Sequence, residues 1–344
     1  MAGVVQQYDN QEIKTKKACI IGGTGFLASQ LVKLLLSKDV SVNTTVRDLG
    51  NEKKISHLLA LQDLGDLKFF QANLTDEGSF DAAVQGCDVV FLVATPVNFA
   101  SQDPENDMIK PAVFGVRNVL TACVKAKTVK RVVLTSSAAA VSIKIITEEG
   151  LVITEEDWTD VDFLYSQKPS IWGYPVSKTL AEREAWKFAK ENNLNLVTVI
   201  PSLIAGPSLT PDVPGSIGLA TCLLTGDDPL INNLKGMELG SGSISITHVE
   251  DVCRAHIFLA EKESASGRYI CSAVDTCVLD LAKFLSNKYP QYNVPTDFGE
   301  FPSKAKSVLS SEKLVNEGFK FKYGLEQIYD STIEYLKSND LLKD

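Results

Sequence analysis

Short β-branched runs alternate with helical patterns through the first two hundred residues, and that alternation leaves few folds open. Residues 18–21 read as a strand, and 25–37 as a helix with apolar positions at Phe26, Leu27, Leu31, Leu34 and Leu35. Five further strands are predicted at 40–46, 67–70, 89–93, 132–135 and 196–200, with helices over 76–84, 105–126 and 173–193. Parallel neighbours need a crossover, and a helix packed on the sheet is the usual one. The pattern predicts an α/β chain with a doubly wound parallel sheet.

After Pro201 the pattern loosens. Residues 206–242 are rich in Gly, Pro and Ser and predict a mobile segment with one short helix. A strand over 243–248, a helix over 250–262 and mixed short elements to residue 344 follow. The expected division is a dinucleotide-binding domain over 13–205, to which 243–265 returns, and a smaller mixed substrate-binding region over 206–344. In doubly wound sheets ligands sit beyond the carboxyl ends of the strands.

Composition removes several classes. The chain of 344 residues is 44% hydrophobic and carries a net charge of −9, which argues against nucleic acid as a main partner. It has no run of 18 apolar residues, hence no expected membrane-spanning helix. Its N-terminus lacks a basic stretch followed by an apolar one, so no secretory signal is expected. Cys19, Cys87, Cys123, Cys222, Cys253, Cys271 and Cys277 read as reduced thiols of a cytoplasmic protein. The basic stretch 125–131 reads as the solvated end of a helix entering a strand, and oligomeric state is left open.

Gly22-Gly-Thr-Gly25 follows the first strand and opens the first helix. Glycines let backbone approach a pyrophosphate, and the helix N-terminus offers free N–H groups. At the end of the second strand, where an acidic residue commonly holds an NAD ribose, stands Arg47, with Asp48 next to it and Lys53 and Lys54 behind. Guanidinium and ammonium groups suit a 2′-phosphate, so NADPH/NADP+ is the expected cofactor.

Tyr174 and Lys178 stand four residues apart, on one helix face. The ammonium is expected to lower the phenol's pKa and to reach a nicotinamide ribose. Ser137, at the end of the fifth strand, is placed to orient a substrate oxygen against Tyr174.

The Gly-Gly-Thr-Gly turn, Thr135-Ser-Ser-Ala138 and Tyr174-Pro-Val-Ser-Lys178 resemble the extended branch of the short-chain dehydrogenase/reductases, with a Rossmann-type sheet. Asn43-Thr-Thr-Val-Arg-Asp48, Ala94-Thr-Pro-Val-Asn-Phe-Ala100, Asp103–Pro111 and Ser241–Asp251 resemble its plant flavonoid reductases. The resemblance implies Ser137, Tyr174 and Lys178 as catalytic residues. It implies NADPH contacts from Gly22, Thr24, Gly25, Phe26, Leu27, Arg47, Lys54, Val93, Ala94, Thr95, Pro96, Tyr174, Lys178 and Pro201. It also implies two-hydride reduction of anthocyanidins to 2,3-cis-flavan-3-ols such as epicatechin, in flavonoid and proanthocyanidin synthesis, with segment 206–242 closing over the rings. A ketone reductase acting on dihydroflavonols is the alternative. Ser142 speaks against it, because the reductases of that kind carry Asn or Asp there. A non-catalytic NADPH-binding regulator is the other alternative. Leu92 in place of a His, Asn73 in place of an Asp, and the 144–150 loop depart from the family pattern.

Three histidines, His57, His248 and His256, lack metal-site spacing, and no metal is expected. Trp172 is a candidate wall for a flat ring. Trp158 and Trp186 read as core packing, and Asp251 as a helix cap.

Overall fold

The computed structural model describes residues 15–146, 149–302 and 304–342. The N-terminal stretch 1–14, including the first two residues of the expected nucleotide domain, lies outside them, as do Thr147 and Glu148 of the 144–150 loop.

In chain order the strands are β1 (Lys17–Ile21), β2 (Ser41–Val46), β3 (Leu67–Gln71), β4 (Val89–Leu92), β5 (Arg131–Thr135), β6 (Leu151–Ile153), β7 (Leu196–Pro201), β8 (Leu203–Ala205), β9 (Ile244–His248), β10 (Gly267–Cys271), β11 (Val274–Thr276) and β12 (Ser307–Leu309). The α-helices are α1 (Phe26–Leu36), α2 (Glu52–Leu59), α3 (Asp81–Val84), α4 (Lys110–Ala126), α5 (Val161–Gln167), α6 (Gly173–Glu191), α7 (Gly215–Thr225), α8 (Asp228–Ser241), α9 (Val249–Glu261), α10 (Val278–Lys288), α11 (Glu312–Asn316) and α12 (Leu325–Ser338).

Seven strands form one parallel sheet in the order β10-β7-β5-β4-β1-β2-β3. Both faces are covered, which explains why β1 reads as an unbroken apolar run. Ala18 and Ile20 join a buried cluster with α1, α2 and α9, while Cys19 and Ile21 face α3, α4 and α6 on the other side. Each fully buried Leu, Ile or Val contributes about 1.5–3 kcal/mol. Beyond the carboxyl edge, β8, β9 and β11 make a small mixed sheet, and β6 pairs with β12.

Several expectations change. Residues 206–242 hold two helices where one short helix was expected. The glycines and prolines that read as loop are their caps: Gly226 (φ +67°) ends α7 and Gly242 (φ +83°) ends α8. Asp227 opens α8 by accepting from Leu230 N at 3.0 Å, with Pro229 in the first turn. Of the expected helix at 76–84, only Asp81–Val84 forms. Gly78 turns the chain at φ +75°, and its N–H donates to Asn118 Oδ1.

Within 243–265, β9 pairs in the small sheet while α9 packs on β5, β7 and α1. The unanticipated β10 then joins the large sheet beside β7. Arg131, expected in solvent, is buried. Its guanidinium donates to the carbonyls of Leu259, Lys262 and Glu263, where α9 ends and its dipole is negative.

Candidate active site

The turn after β1 has room for glycine alone at two positions. A Cβ on Gly23 would lie 2.1 Å from Thr44 Oγ1, and one on Gly22 would lie 2.7 Å from the Ala94 side chain. Gly22 also takes φ +89°. Hydrogen bonds hold this fit: Gly22 N donates to Thr45 Oγ1 (3.0 Å), Gly23 N to Thr45 O (2.9 Å) and Ala94 N to Ile21 O (2.9 Å). Gly25 precedes α1, whose first turn has neither an acidic residue nor a capping side chain. Bare backbone at a helix N-terminus is the cradle a pyrophosphate needs, so these residues fit a dinucleotide. Gly23→Ala is expected to lower stability by about 1–3 kcal/mol and to weaken dinucleotide binding, read by thermal unfolding and fluorescence titration.

The other expected cofactor residues cluster around this turn or along the same sheet edge. Thr24 and Phe26 are half-buried, whereas Leu27 faces the core and has only its backbone to offer. Val93, Ala94, Thr95 and Pro96 follow β4, the neighbour of β1, and Pro201 ends β7. Arg47 is exposed just past β2, with Lys54 in the first turn of α2. Asp48 is turned away into its own loop, where Oδ1 accepts from Gly50 N at 2.8 Å. Lys53 pairs with Asp212 at 3.2 Å.

Because the strands are parallel, β5 delivers Ser137 to the same edge. Ser137 Oγ accepts from Ala139 N at 3.2 Å, capping a short 3-10 turn, and its side chain acts on the Tyr174 phenol, working to lower its pKa. Tyr174 enters from the start of α6. Ile171, a β-branched residue at φ +57°, turns the chain into that helix. Gly173 lets the helix start close against Pro104, where a Cβ would approach Pro104 Cβ to 2.3 Å. The edge of Phe99 meets the Tyr174 ring at 5.4 Å between centroids.

The electrostatics differ from the sequence expectation. Burial pushes the Tyr174 phenol above its ordinary pKa, and the Ser137 hydrogen bond opposes this only in part. Lys178 Nζ donates to the Thr135 carbonyl at 2.8 Å. Burial pushes the Lys178 ammonium down to about 8, and Glu182 works against that shift. The phenol therefore stays protonated at neutral pH and can act as a proton donor.

Sequence reasoning missed three neighbours. His256 Nε2 lies 2.7 Å from Thr135 Oγ1, and burial holds its pKa at about 4, hence neutral. Glu182 and Arg268 form a buried ion pair at 2.7 Å. Glu182 had a signal in the sequence, standing at Lys178 plus four. Arg268 had none, because its strand was not recognised.

Trp186 packs against the apolar cluster of α3, α4, α6 and the sheet, as expected, whereas half-buried Trp158 lies outside the apolar core and stacks on the Arg268 guanidinium, 3.6 Å from its ring centre. Asp251 is not the cap of α9, since His248 Nδ1 accepts from Glu250 N. Asp251 instead accepts from the backbone of Lys322 and Tyr323 and pairs with Arg254, tying down the C-terminal segment. Among the described residues no His, Cys, Asp and Glu group is placed to hold a metal ion. Nor is any helix among them long and apolar enough to cross a membrane.

The NAD dependent epimerase/dehydratase family matches residues 18–271, from the first strand of the large sheet to its last. The chain belongs to that family. Among its relatives, an anthocyanidin reductase ((2S)-flavan-3-ol-forming) of Vitis vinifera is 68% identical over 331 residues, 96% of this chain and 98% of that one. A dihydroflavonol 4-reductase of Arabidopsis thaliana is 44% identical over 94% of this chain and 83% of that one. Among solved structures, vestitone reductase from alfalfa superposes with a TM-score of 0.81 at 38% identity, covering 96% of this chain and all 100% of that one. A yeast methylglyoxal/isovaleraldehyde reductase complexed with NADPH gives a TM-score of 0.78 at 26% identity, covering 95% and 100%.

Proposed function

We propose that this chain uses NADPH to reduce anthocyanidins to flavan-3-ols in the cytoplasm. The observation that carries the chemistry is the meeting of Ser137, Tyr174 and Lys178 at the sheet edge that also bears the Gly22–Gly25 turn. Full-length likeness to the grape reductase supports the substrate class. Arg47 and Lys54, with Asp48 turned away, support NADPH over NADH.

Going from a flavylium cation to a flavan-3-ol adds three hydrogens and removes one positive charge, which is two hydrides and one proton. Bound NADPH supplies hydride. Tyr174, kept protonated by burial, delivers the proton to the intermediate enol and exchanges protons with ring hydroxyls. Ser137 orients the substrate oxygen against Tyr174. Lys178 holds the end of β5 through Thr135 and presents a positive charge to the cofactor's ribose. The helices α7 and α8 and the small sheet wall the region beyond the strand ends, where water must be kept out.

The dihydroflavonol reading is disfavoured by Ser142, which is buried and has no amide or carboxylate for a ring hydroxyl. Incubation with cyanidin and with dihydroquercetin, followed by chiral chromatography, decides between the two. Flavan-3-ol from cyanidin and no product from dihydroquercetin is the expected result; a leucoanthocyanidin from dihydroquercetin would reverse the assignment. The grape relative's name specifies a 2S product. Both hands at C2 allow the 2,3-cis relation, so the same chromatogram reads the stereochemistry.

A further inference from the structure

Two consecutive residues at the carboxyl end of β5 are anchored by side chains of other elements. Thr135 offers its carbonyl to Lys178 Nζ (2.8 Å) and its hydroxyl to His256 Nε2 (2.7 Å). Ser136 Oγ donates to Glu182 Oε2 at 2.6 Å, and Ser137, the next residue, acts on the Tyr174 phenol. Glu182 is itself clamped. Arg268 Nε donates to its Oε1 at 2.7 Å and Arg268 Nη2 to its Oε2 at 3.2 Å. The remaining guanidinium nitrogen donates to the carbonyls of Glu155 (2.6 Å) and Asp157 (2.8 Å). With Trp158 stacked on its face, the guanidinium has one available geometry.

We propose that the buried Glu182–Arg268 pair is a positioning pair for the reaction, fixing Ser136, and through it Ser137, against the Tyr174–Lys178 face of α6. The proposal rests on the reading of Tyr174 and Lys178 given above. Tyr174, Lys178 and Glu182 stand at successive four-residue steps along one helix, so the carboxylate lies one turn behind the ammonium. A buried ion pair adds little net stability over apolar residues of the same volume, and stability alone gives no reason for one here. What it does supply is a fixed acceptor for Ser136 and a negative charge near Lys178.

That charge has a consequence. Glu182 is the charge that acts on Lys178, with Arg268 of β10 behind it; Tyr174 stands one turn earlier on α6, and neutral His256 of α9 shares Thr135 with Lys178. Burial lowers the Lys178 ammonium to about 8, and Glu182 is the charge that opposes it. A working site needs Lys178 protonated, so activity falls as pH rises through its pKa. Removing the carboxylate lowers that pKa further and moves the alkaline limb to lower pH.

The test compares initial rates of NADPH oxidation with cyanidin across pH for the wild type, Glu182→Gln, Ser136→Ala and Tyr174→Phe. At each pH all four share the same substrate speciation, so differences read the protein. Glu182→Gln is expected to lower kcat roughly tenfold, leave the NADPH KM within about twofold, and bring the alkaline limb down by about one pH unit. Ser136→Ala leaves the ion pair intact; it is expected to lower kcat several-fold with the limb unmoved. A Glu182→Gln enzyme with wild-type kcat and pH profile overturns the proposal. If Glu182→Gln does not fold, wild-type kcat in Ser136→Ala overturns it. Tyr174→Phe keeps the two readings apart. Full turnover there removes the underlying site assignment, whereas an inactive Tyr174→Phe beside wild-type Glu182→Gln and Ser136→Ala enzymes removes only the positioning pair.

Discussion

Tyr174→Phe is expected to lose about 10²–10⁴-fold in turnover while NADPH affinity stays within about twofold. The substitution removes one oxygen and keeps the ring that meets Phe99 edge-on, so α6 has no reason to move. What is lost is the buried hydroxyl that is proposed to carry the transferable proton. Because burial raises the phenol's pKa, the wild-type rate should show no loss from Tyr174 ionisation at or below neutral pH. Steady-state rates with cyanidin and a fluorescence titration with NADPH check both halves. Unchanged turnover would place the proton donor elsewhere.

Arg47→Ala should act on the cofactor and leave the chemistry alone. A hydrogen bond to a charged group contributes about 1.5–3 kcal/mol. The NADPH KM is therefore expected to rise roughly 10- to 150-fold at constant kcat, with the NADH KM unchanged. In the proposed cofactor site the neighbours leave Arg47 as the principal reader of a 2′-phosphate. Asp48 is engaged with Gly50 N, and Lys53 with Asp212, which leaves Lys54 as the second cation. Equal losses for both dinucleotides would show that Arg47 does not contact the 2′-phosphate.

Local pattern carried the parts of this site that depend on a single element. The Gly22–Gly25 turn was legible because it follows an apolar strand and opens an amphipathic helix. Tyr174 and Lys178 were legible because four-residue spacing sets them on one face. Contacts between elements were not. A side chain at Gly23 is disfavoured because β1 pairs with β2 and brings Thr44 against it, which no local pattern records. Burial within the folded site raises the phenol's pKa where a lowering was expected, and the Lys178 ammonium reaches the Thr135 carbonyl.

β10 escaped notice because its five residues include a glycine and Arg268, and a charge in a short run reads as solvent-exposed. Here the charge is neutralised by Glu182, more than eighty positions earlier in the chain. The helices at 215–225 and 228–241 were hidden for the opposite reason. Their caps, Gly226, Asp227 and Gly242, are the residues that mark loops when read singly, and the buried apolar stretches between them went unweighed.

The central claim is that the Ser137–Tyr174–Lys178 site carries an anthocyanidin through two hydride additions. Counting NADPH consumed against flavan-3-ol formed from cyanidin tests it most directly, with product measured by chromatography and cofactor by absorbance. Two NADPH per flavan-3-ol are expected. One NADPH per product, or oxidation of NADPH without any flavan-3-ol, would contradict it.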